Sequence, residues 1–208
     1  EDAWANDPYG RNFAGVPPSK SGDYAWVQHM ITSTAPVTGR VAVVLPHGAL
    51  FRMGVEGKIR RRILDDDLLE AVVGLGPNLF YGTGLAACIL IFRRRKARDR
   101  HERVLIIDGS RLFRKGRNQN TLEPEHVDRL FNLYRDYADV PGEAHVATME
   151  EIAGHDYNLN ISLYVEPVTT EETVTVDQAV SNLKGALADA YAAEDRLRVL
   201  LVEAGLHS

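Results

Sequence analysis

The residues best suited to hold a flat ring stand in one glycine-rich loop, Pro77–Gly84. Phe80 and Tyr81 are adjacent aromatic residues in this loop, which follows an apolar segment that predicts a buried β-strand. Open α/β sheets bind ligands beyond the carboxyl ends of their strands, where such a ring can stack on a flipped base. In the alternative interpretation, Phe80 packs into the core and the glycines only form a turn. Because a strand rather than a helix follows, Gly82-Thr83-Gly84 is a poor match to a dinucleotide-binding loop.

A second candidate follows another predicted strand, which ends in Pro46-His47-Gly48. His47 can face the same cleft, and a purely structural histidine is the alternative. The histidines lack the paired spacing of metal ligands, so we predict no metal site. Cys88 is the only cysteine, which excludes an internal disulfide and favours a cytoplasmic protein. No apolar run approaches the roughly 20 residues of a membrane-spanning helix.

The net charge of −5 conceals a strongly basic block. Residues 93–117 hold 11 Lys/Arg against 3 Asp/Glu, whereas residues 118–208 hold 5 against 17. A basic block in an acidic chain predicts a strip that contacts DNA phosphates, and a solvated loop is the alternative. The candidate phosphate contacts are Arg93, Arg94, Arg95, Lys96, Arg114, Lys115 and Arg117.

Hydrophobic periodicity predicts an α/β fold. The predicted strands are Val41–Leu45, buried on both faces as in a parallel sheet, then Leu68–Leu75, Leu85–Phe92 and Val104–Asp108. The predicted helices are Tyr24–Thr34 with Asp23 as N-cap, Glu56–Leu64 and Pro124–Tyr137, with residues 1–22 irregular. The loop between the second and third strands is too short for a helical crossover, so we expect these two strands to be antiparallel.

The C-terminal segment predicts a long helix with a repeated apolar seam. Apolar residues recur from Val176 to Ala204 in steps of four and three, with Glu194 at one seam position. This 3.5-residue repeat is typical of helices that pair with other helices. The seam residues are Val180, Leu183, Leu187, Leu197 and Leu201. We therefore predict a catalytic-type domain at 1–165, a linker at 166–176 and a partner-binding helix at 177–205; a terminal helix packed on its own domain is the alternative.

Five ordered segments resemble the modification (methyltransferase) subunits of type I restriction–modification systems. They are Pro17–Ile31, Gly39–Arg52, Asn78–Gly84, Asn118–Leu122 and Asp156–Asn160. The resemblance covers about residues 10–166 and corresponds to the C-terminal half of those subunits. It implies the second half of a Rossmann-like class I methyltransferase sheet, with an antiparallel strand pair and a C-terminal helix.

The resemblance also implies an activity, transfer of a methyl group from S-adenosylmethionine to adenine N6 in DNA. The target adenine would lie among Phe80, Tyr81, Gly82, Thr83, Pro46 and His47. The implied partners are a specificity subunit, a second modification subunit, a restriction subunit and DNA, with no membrane. The seam of the C-terminal helix would contact the specificity subunit.

One departure from the family pattern is large. The family's glycine-rich donor loop and its Asn-Pro-Pro-Tyr/Phe motif precede Pro17, and neither is found intact in these 208 residues. Asn6-Asp7-Pro8-Tyr9 is interrupted by Asp7, and we interpret it as a loop. We therefore expect the chain alone to be inactive and not to bind S-adenosylmethionine. The alternative function is that of a non-catalytic fragment that binds DNA or pairs with a specificity subunit.

Overall fold

The protein is described by a computed structural model that covers residues 2–166 and 175–206. The strands are β1 (Arg40–Pro46), β2 (Leu69–Leu75), β3 (Ala87–Arg93), β4 (Arg103–Gly109) and β5 (Ala144–Thr148). The helices are α1 (Asp2–Ala5), α2 (Asp23–Thr32), α3 (Gly48–Phe51), α4 (Val55–Asp65), α5 (Pro124–Asp136), α6 (Met149–Gly154) and α7 (Val176–Glu203). Contacts divide the chain into two compact units, Glu1–Val168 and Thr169–Ser208.

The first unit is built on one mixed sheet with the strand order β1-β3-β2-β4-β5. β3 is antiparallel to both β1 and β2, β4 is parallel to β2, and β5 is antiparallel to β4. β1, β2 and β4 consequently run in the same direction and end at the same edge of the sheet. The antiparallel pairing predicted for the second and third strands is confirmed.

Each face of the sheet has its own hydrophobic core. On one face, α2 and α4 bury Tyr24, Ile31 and Ile63 against alternate residues of the strands such as Val72 and Ile106. On the other face, α5 packs against the remaining residues of β2 and β4, with Leu133 buried. β2 is buried along its whole length because both cores meet on it, and Glu70 is its single charged residue.

The prediction for β1 is wrong in one respect. Its apolar run, Val41–Leu45, was expected to be buried on both faces, but alternate residues are exposed and Val44 keeps 49% of its accessible surface. β1 is an edge strand that pairs with β3 only within the described residues. A β-branched run therefore predicted the strand correctly but not its position in the sheet, since edge and central strands share that composition.

Several boundaries also differ from the prediction. The short helix α1 lies in the stretch expected to be irregular, and Gly22 rather than Asp23 occupies the N-cap of α2. β5 and α6 were not predicted, because Ala144–Thr148 is a short strand of mixed polarity. The helix predicted at Pro124–Tyr137 is confirmed, with Glu123 as its N-cap.

The second unit contains α7. Thr175 caps the helix, and its side chain and that of Gln178 form a reciprocal capping box. Most of the predicted linker, 166–176, lies outside the described residues, and the predicted domain boundaries stay a prediction. No helix in the described part of the chain is long and apolar enough to cross a membrane.

Candidate functional site

The predicted base-pocket residues lie at one edge of the sheet. β1 ends at Pro46 and β2 ends at Leu75, so the residues that follow these two parallel-running strands emerge at the same edge, with β3 between them. The loop after β2 returns to Ala87 at the start of β3, which pairs directly with Pro46. The segment after Gly109 of β4 leaves from the same edge. We call this edge the carboxyl edge.

His47 is held at the rim of this edge by a backbone contact. Its Nε2 lies 2.9 Å from the carbonyl oxygen of Ala87, the acceptor of the bond, and the histidine is half-buried. This bond holds the His47 ring beside the point where the loop ends, because Ala87 is the first residue of β3. His47 therefore has the structural contact of the alternative interpretation and is also adjacent to the candidate cleft.

The loop presents its aromatic residues to solvent. Tyr81 is 94% exposed and Phe80 is 40% exposed, so Phe80 is not a core residue. Phe80 and Thr83 form an isolated β-bridge around a tight turn, and Gly82 takes a φ of +77°, a conformation that favours glycine. The Thr83 hydroxyl accepts a hydrogen bond from the Leu85 backbone N–H at 3.1 Å.

A second segment, residues 118–122, is joined to the loop by hydrogen bonds. Asn78 Nδ2 donates to the Asn118 carbonyl at 3.1 Å. Gln119 Nε2 donates to the Leu79 carbonyl at 2.7 Å, and Asn120 Nδ2 donates to the Pro77 carbonyl at 2.9 Å. The Asn120 backbone N–H also donates to the Asn78 carbonyl at 2.8 Å. Amide side chains thus replace the strand pairing that an irregular loop lacks.

The two segments enclose a shallow cavity of about 330 Å³. Its lining residues come from both, namely Leu79, Phe80, Tyr81, Gln119, Asn120, Thr121 and Leu122. The sequence singled out each segment but gave no sign that they touch. Their contact depends on β4 lying beside β2, a pairing of residues distant in sequence.

The structure divides the basic block between two edges of the sheet. Arg114, Lys115 and Arg117 follow β4 at the carboxyl edge, and all three are exposed. Arg114 also forms an ion pair with Glu123. The block's first part, 93–96, follows β3 at the opposite edge, because β3 runs against its neighbours. The fold therefore does not bring the seven predicted contacts together as one strip.

Lys96, one of those seven, is buried. It is 8% exposed, and its Nζ lies 2.6 Å from Asp67 Oδ1 and 2.8 Å from the Arg103 carbonyl oxygen. Burial lowers the pKa of Lys96, whereas the hydrogen bond and charge of Asp67 oppose that change. Its ammonium group is used inside the protein and adds no open contact for a phosphate.

The buried carboxylate of Glu70, which the sequence analysis did not single out, binds two arginines of the basic block. Glu70, 1% exposed, accepts from Arg93 Nε at 3.1 Å, from Arg100 at 3.3 Å and from the Tyr134 hydroxyl at 2.6 Å. Burial and the neighbouring Glu70 raise the pKa of Tyr134. Arg93 and Arg100 thereby neutralise a charge that β2 would otherwise bury alone.

The seam residues of α7 are exposed. Val180, Leu183, Leu187, Leu197 and Leu201 each keep between 38% and 60% of their accessible surface. They stand on one side of a continuous helix, as the 3.5-residue repeat requires. The helix thus offers an apolar stripe within its own unit.

The described residues show little that fits a cofactor or a metal. Among residues 2–166 and 175–206, no three His, Cys, Asp or Glu side chains gather in a way that could hold a metal ion. Burial raises the pKa of Cys88 to about 12, so its thiol is not a ready nucleophile.

A loop for S-adenosylmethionine would lie where a strand is followed by a glycine that begins a helix. Among residues 2–166 and 175–206, this occurs only at Gly48, and there the Arg52 guanidinium lies 2.7 Å from the position that a Cβ on Gly48 would take. That turn is filled, and these residues do not fit an S-adenosylmethionine-binding loop.

Comparison with known proteins identifies the family. The sequence profile of the N-6 DNA methylase family matches residues 1–173, so the chain belongs to this family. Relatives and structural neighbours of the chain include methyltransferase subunits of type I restriction–modification systems, as the five sequence segments implied.

Three similar proteins illustrate the match. The type I restriction enzyme MjaVII methylase subunit of Methanocaldococcus jannaschii is 38% identical over 173 residues, 82% of this chain and 30% of that protein. The HindI methylase subunit of Haemophilus influenzae is 30% identical over 200 residues, 92% of this chain and 44% of that protein. The type I restriction–modification methyltransferase subunit of Streptococcus thermophilus aligns with a TM-score of 0.74 at 34% identity, covering 80% of this chain and 35% of that one.

These comparisons confirm the predicted fold class, an α/β methyltransferase sheet with a C-terminal helix. They also show that the chain spans less than half of the length of the relatives it matches.

Proposed function

We propose that this chain supplies the base-binding side of an adenine-N6 DNA methyltransferase of a type I restriction–modification system. The observation that carries the proposal is the assembly at the carboxyl edge, where the loop 76–84 and the segment 118–122 are fastened together beside His47. Both segments are among those that resemble the family. Ligands of such sheets bind at this edge.

The proposed role of the loop is to receive a flipped adenine. Phe80 and Tyr81 offer exposed rings for stacking, and the side chains of residues 118–122 hold the loop in place before the base arrives. A loop that is ordered in advance loses less conformational entropy on binding. The exposed Lys115 and Arg117 lie on the same edge, where they would contact the DNA backbone near the base.

The methyl donor, S-adenosylmethionine, would be held outside these 208 residues, since the turns of residues 2–166 and 175–206 do not fit it. The 208-residue polypeptide should therefore bind no S-adenosylmethionine and should transfer no methyl group to DNA on its own. Isothermal titration of the donor into the polypeptide should give no heat of binding. Clear one-to-one binding would contradict this division of roles and would place a donor site among the described turns.

The second candidate function is assembly with other subunits. The exposed seam of α7 supports it, because five large apolar side chains in heptad positions would otherwise stay in water. We propose a specificity subunit as the partner, within an assembly that also holds a second modification subunit and a restriction subunit.

Changing the seam tests this assembly. Leu183→Asp with Leu187→Asp should abolish co-purification with the specificity subunit of the same system, because two carboxylates cannot be buried against an apolar partner. The matched control is Ser181→Asp with Asn182→Asp, which adds the same charge to the same helix outside the seam. The control should assemble normally. Normal assembly of the seam variant, measured by size-exclusion chromatography with light scattering, would contradict the proposal.

A further inference from the structure

The edge of the sheet opposite the carboxyl edge contains an open, basic cleft of about 560 Å³. Its cations are Arg94, Arg95, Lys96 and Arg98, and Asp66, Asp67 and His101 also line it. We call it the distal cleft. It lies where β3 ends and β2 begins, remote from the loop that would receive the base.

The acidic residues of the distal cleft are already paired. Asp67 accepts from the buried Lys96 and from the Glu102 backbone N–H at 3.1 Å. Asp66 accepts from Arg62 Nε at 3.1 Å. These contacts use the carboxylates of the cleft without using the three arginines that line it.

The arginines, in contrast, keep their charge available. Arg95 and Arg98 are exposed, and neither has an ion pair among the residues that the structure describes. Arg94 has one recorded hydrogen bond, from its Nε to the Thr34 hydroxyl at 3.2 Å. Three guanidinium groups within five residues of chain therefore lie in one cleft, and none of them forms an ion pair with a carboxylate in the described part of the chain.

The base of the cleft is rigid. Arg93 and Arg100, on either side of the three arginines, bind the buried Glu70, and Arg100 also stacks on the Tyr137 ring at 4.4 Å. Lys96 is fixed between Asp67 and the Arg103 carbonyl. The backbone segment that carries the three arginines is thus anchored on both sides and at Lys96 before any ligand binds, which lowers the entropic cost of ordering it.

We propose that the distal cleft binds phosphate groups of the DNA backbone, and this rests on the proposed function for the choice of DNA. Guanidinium groups match phosphate oxygens in a bidentate geometry. None of the described residues that line the cleft is large and apolar, and the ring among them, the His101 imidazole, lies 3.5 Å from Asp67 Oδ2, so the cleft would recognise backbone and not sequence. This site is distinct from the contacts at the carboxyl edge.

The strands set the separation of the two DNA contacts. β3 has seven residues, and the six steps between them, at roughly 3.3 Å each, span about 20 Å. The corresponding length of B-DNA is about six base pairs at 3.4 Å each. A duplex that reaches both sites must therefore extend at least that far from the target base.

The test uses the full chain and a fluorescein-labelled duplex of random sequence. Arg95→Gln with Arg98→Gln should weaken binding about tenfold at low salt and reduce the slope of log K against log salt by about 2, since each lost phosphate contact removes about 0.9. The matched control is Arg135→Gln with Arg196→Gln, which removes two exposed arginines elsewhere and should change the slope little. Melting curves of both variants check that the fold is intact.

A variant at the other edge separates the two proposals. If Lys115→Gln with Arg117→Gln weakens binding and the distal variant matches the control, the distal cleft is refuted while the proposed function stands. If only the distal variant loses binding, the cleft is supported and the proposed contacts at the carboxyl edge fail. The cleft is also refuted if the unaltered chain shows no duplex binding at 50 mM salt, or if poly-glutamate of equal charge competes as well as DNA.

Discussion

Replacing Tyr81 or Phe80 by alanine should lower methyl transfer to adenine about 10- to 100-fold, in an assembly that includes the donor-binding part of the subunit. Stacking of one base on an aromatic ring contributes about 1–3 kcal/mol, which corresponds to rate losses of that size when the stacked state leads to the transition state. Tyr81 is 94% exposed and Phe80 is 40% exposed, so neither change removes a core side chain. The rate of transfer of a labelled methyl group to a duplex in a single turnover measures the effect.

Two controls isolate the role of the ring. Tyr81→Phe keeps the π-face and should retain most of the activity. Leu85→Ala removes a large side chain that is 70% exposed and follows the same loop, and it should change the rate less than threefold if stacking, rather than exposed apolar surface, matters. Donor binding should be the same in all variants. Full activity in both alanine variants would show that the adenine is not held by this loop.

The loop was predictable from sequence, but the way it is held was not. Turn-forming residues around two aromatics marked Pro77–Gly84, and the end of β2 placed it at a strand terminus. Its partner segment, 118–122, comes from beyond β4, and the two meet only because β4 lies beside β2. Short-range patterns carry no information on which strands become neighbours, and the three amide hydrogen bonds between these segments follow from that pairing.

The basic block illustrates the opposite error, in which a continuous sequence becomes discontinuous in space. Residues 93–117 were predicted as one strip, yet β4 crosses the full length of the sheet between Arg100 and Arg114. Counting charges along the chain also misses burial, and Lys96 shows this because it satisfies Asp67 inside the protein. Charge composition predicted a DNA-binding strip, which stays a prediction, but it could not show that the basic residues lie at two edges of the sheet.

The fold also depends on a buried arginine that looks like a surface residue in the sequence. Arg60 belongs to the basic run Lys58–Arg62 of α4 but is only 2% exposed. Its Nε donates to the Tyr157 carbonyl at 2.7 Å, and its Nη1 donates to the Arg52 carbonyl at 2.9 Å and to the Ala49 carbonyl at 3.3 Å. It therefore joins α4 to the turn that follows His47 and to the segment 155–159.

The segment that Arg60 holds is strained. Asp156 and Tyr157 are consecutive non-glycine residues with φ of +53° and +57°, and such residues cost about 1 kcal/mol or more each. The bond from Arg60 to the Tyr157 carbonyl fixes the second of them. Burial of the Arg60 charge opposes folding, since one nitrogen of its guanidinium group, Nη2, has no hydrogen-bond partner. The three hydrogen bonds that Arg60 donates should stabilise the folded state by more than that cost.

Arg60→Met should consequently lower the free energy of unfolding by about 2–4 kcal/mol, since it removes three hydrogen bonds from a charged donor. The part-buried carbonyls of Tyr157 and Arg52 would lose this donor, whereas the Ala49 carbonyl would keep its bond from the Tyr24 hydroxyl. For a domain of this size that is a fall in Tm of roughly 5–15 °C, measured by thermal denaturation. The adjacent Arg61→Met is the matched control: Arg61 lies over the Tyr157 ring with 61% of its side chain exposed, and its loss should cost less than about 1 kcal/mol. If Arg60→Met melted no lower than Arg61→Met, relief of the desolvated charge would equal the loss of the three hydrogen bonds, and Arg60 would not be what holds the turn after His47 in place.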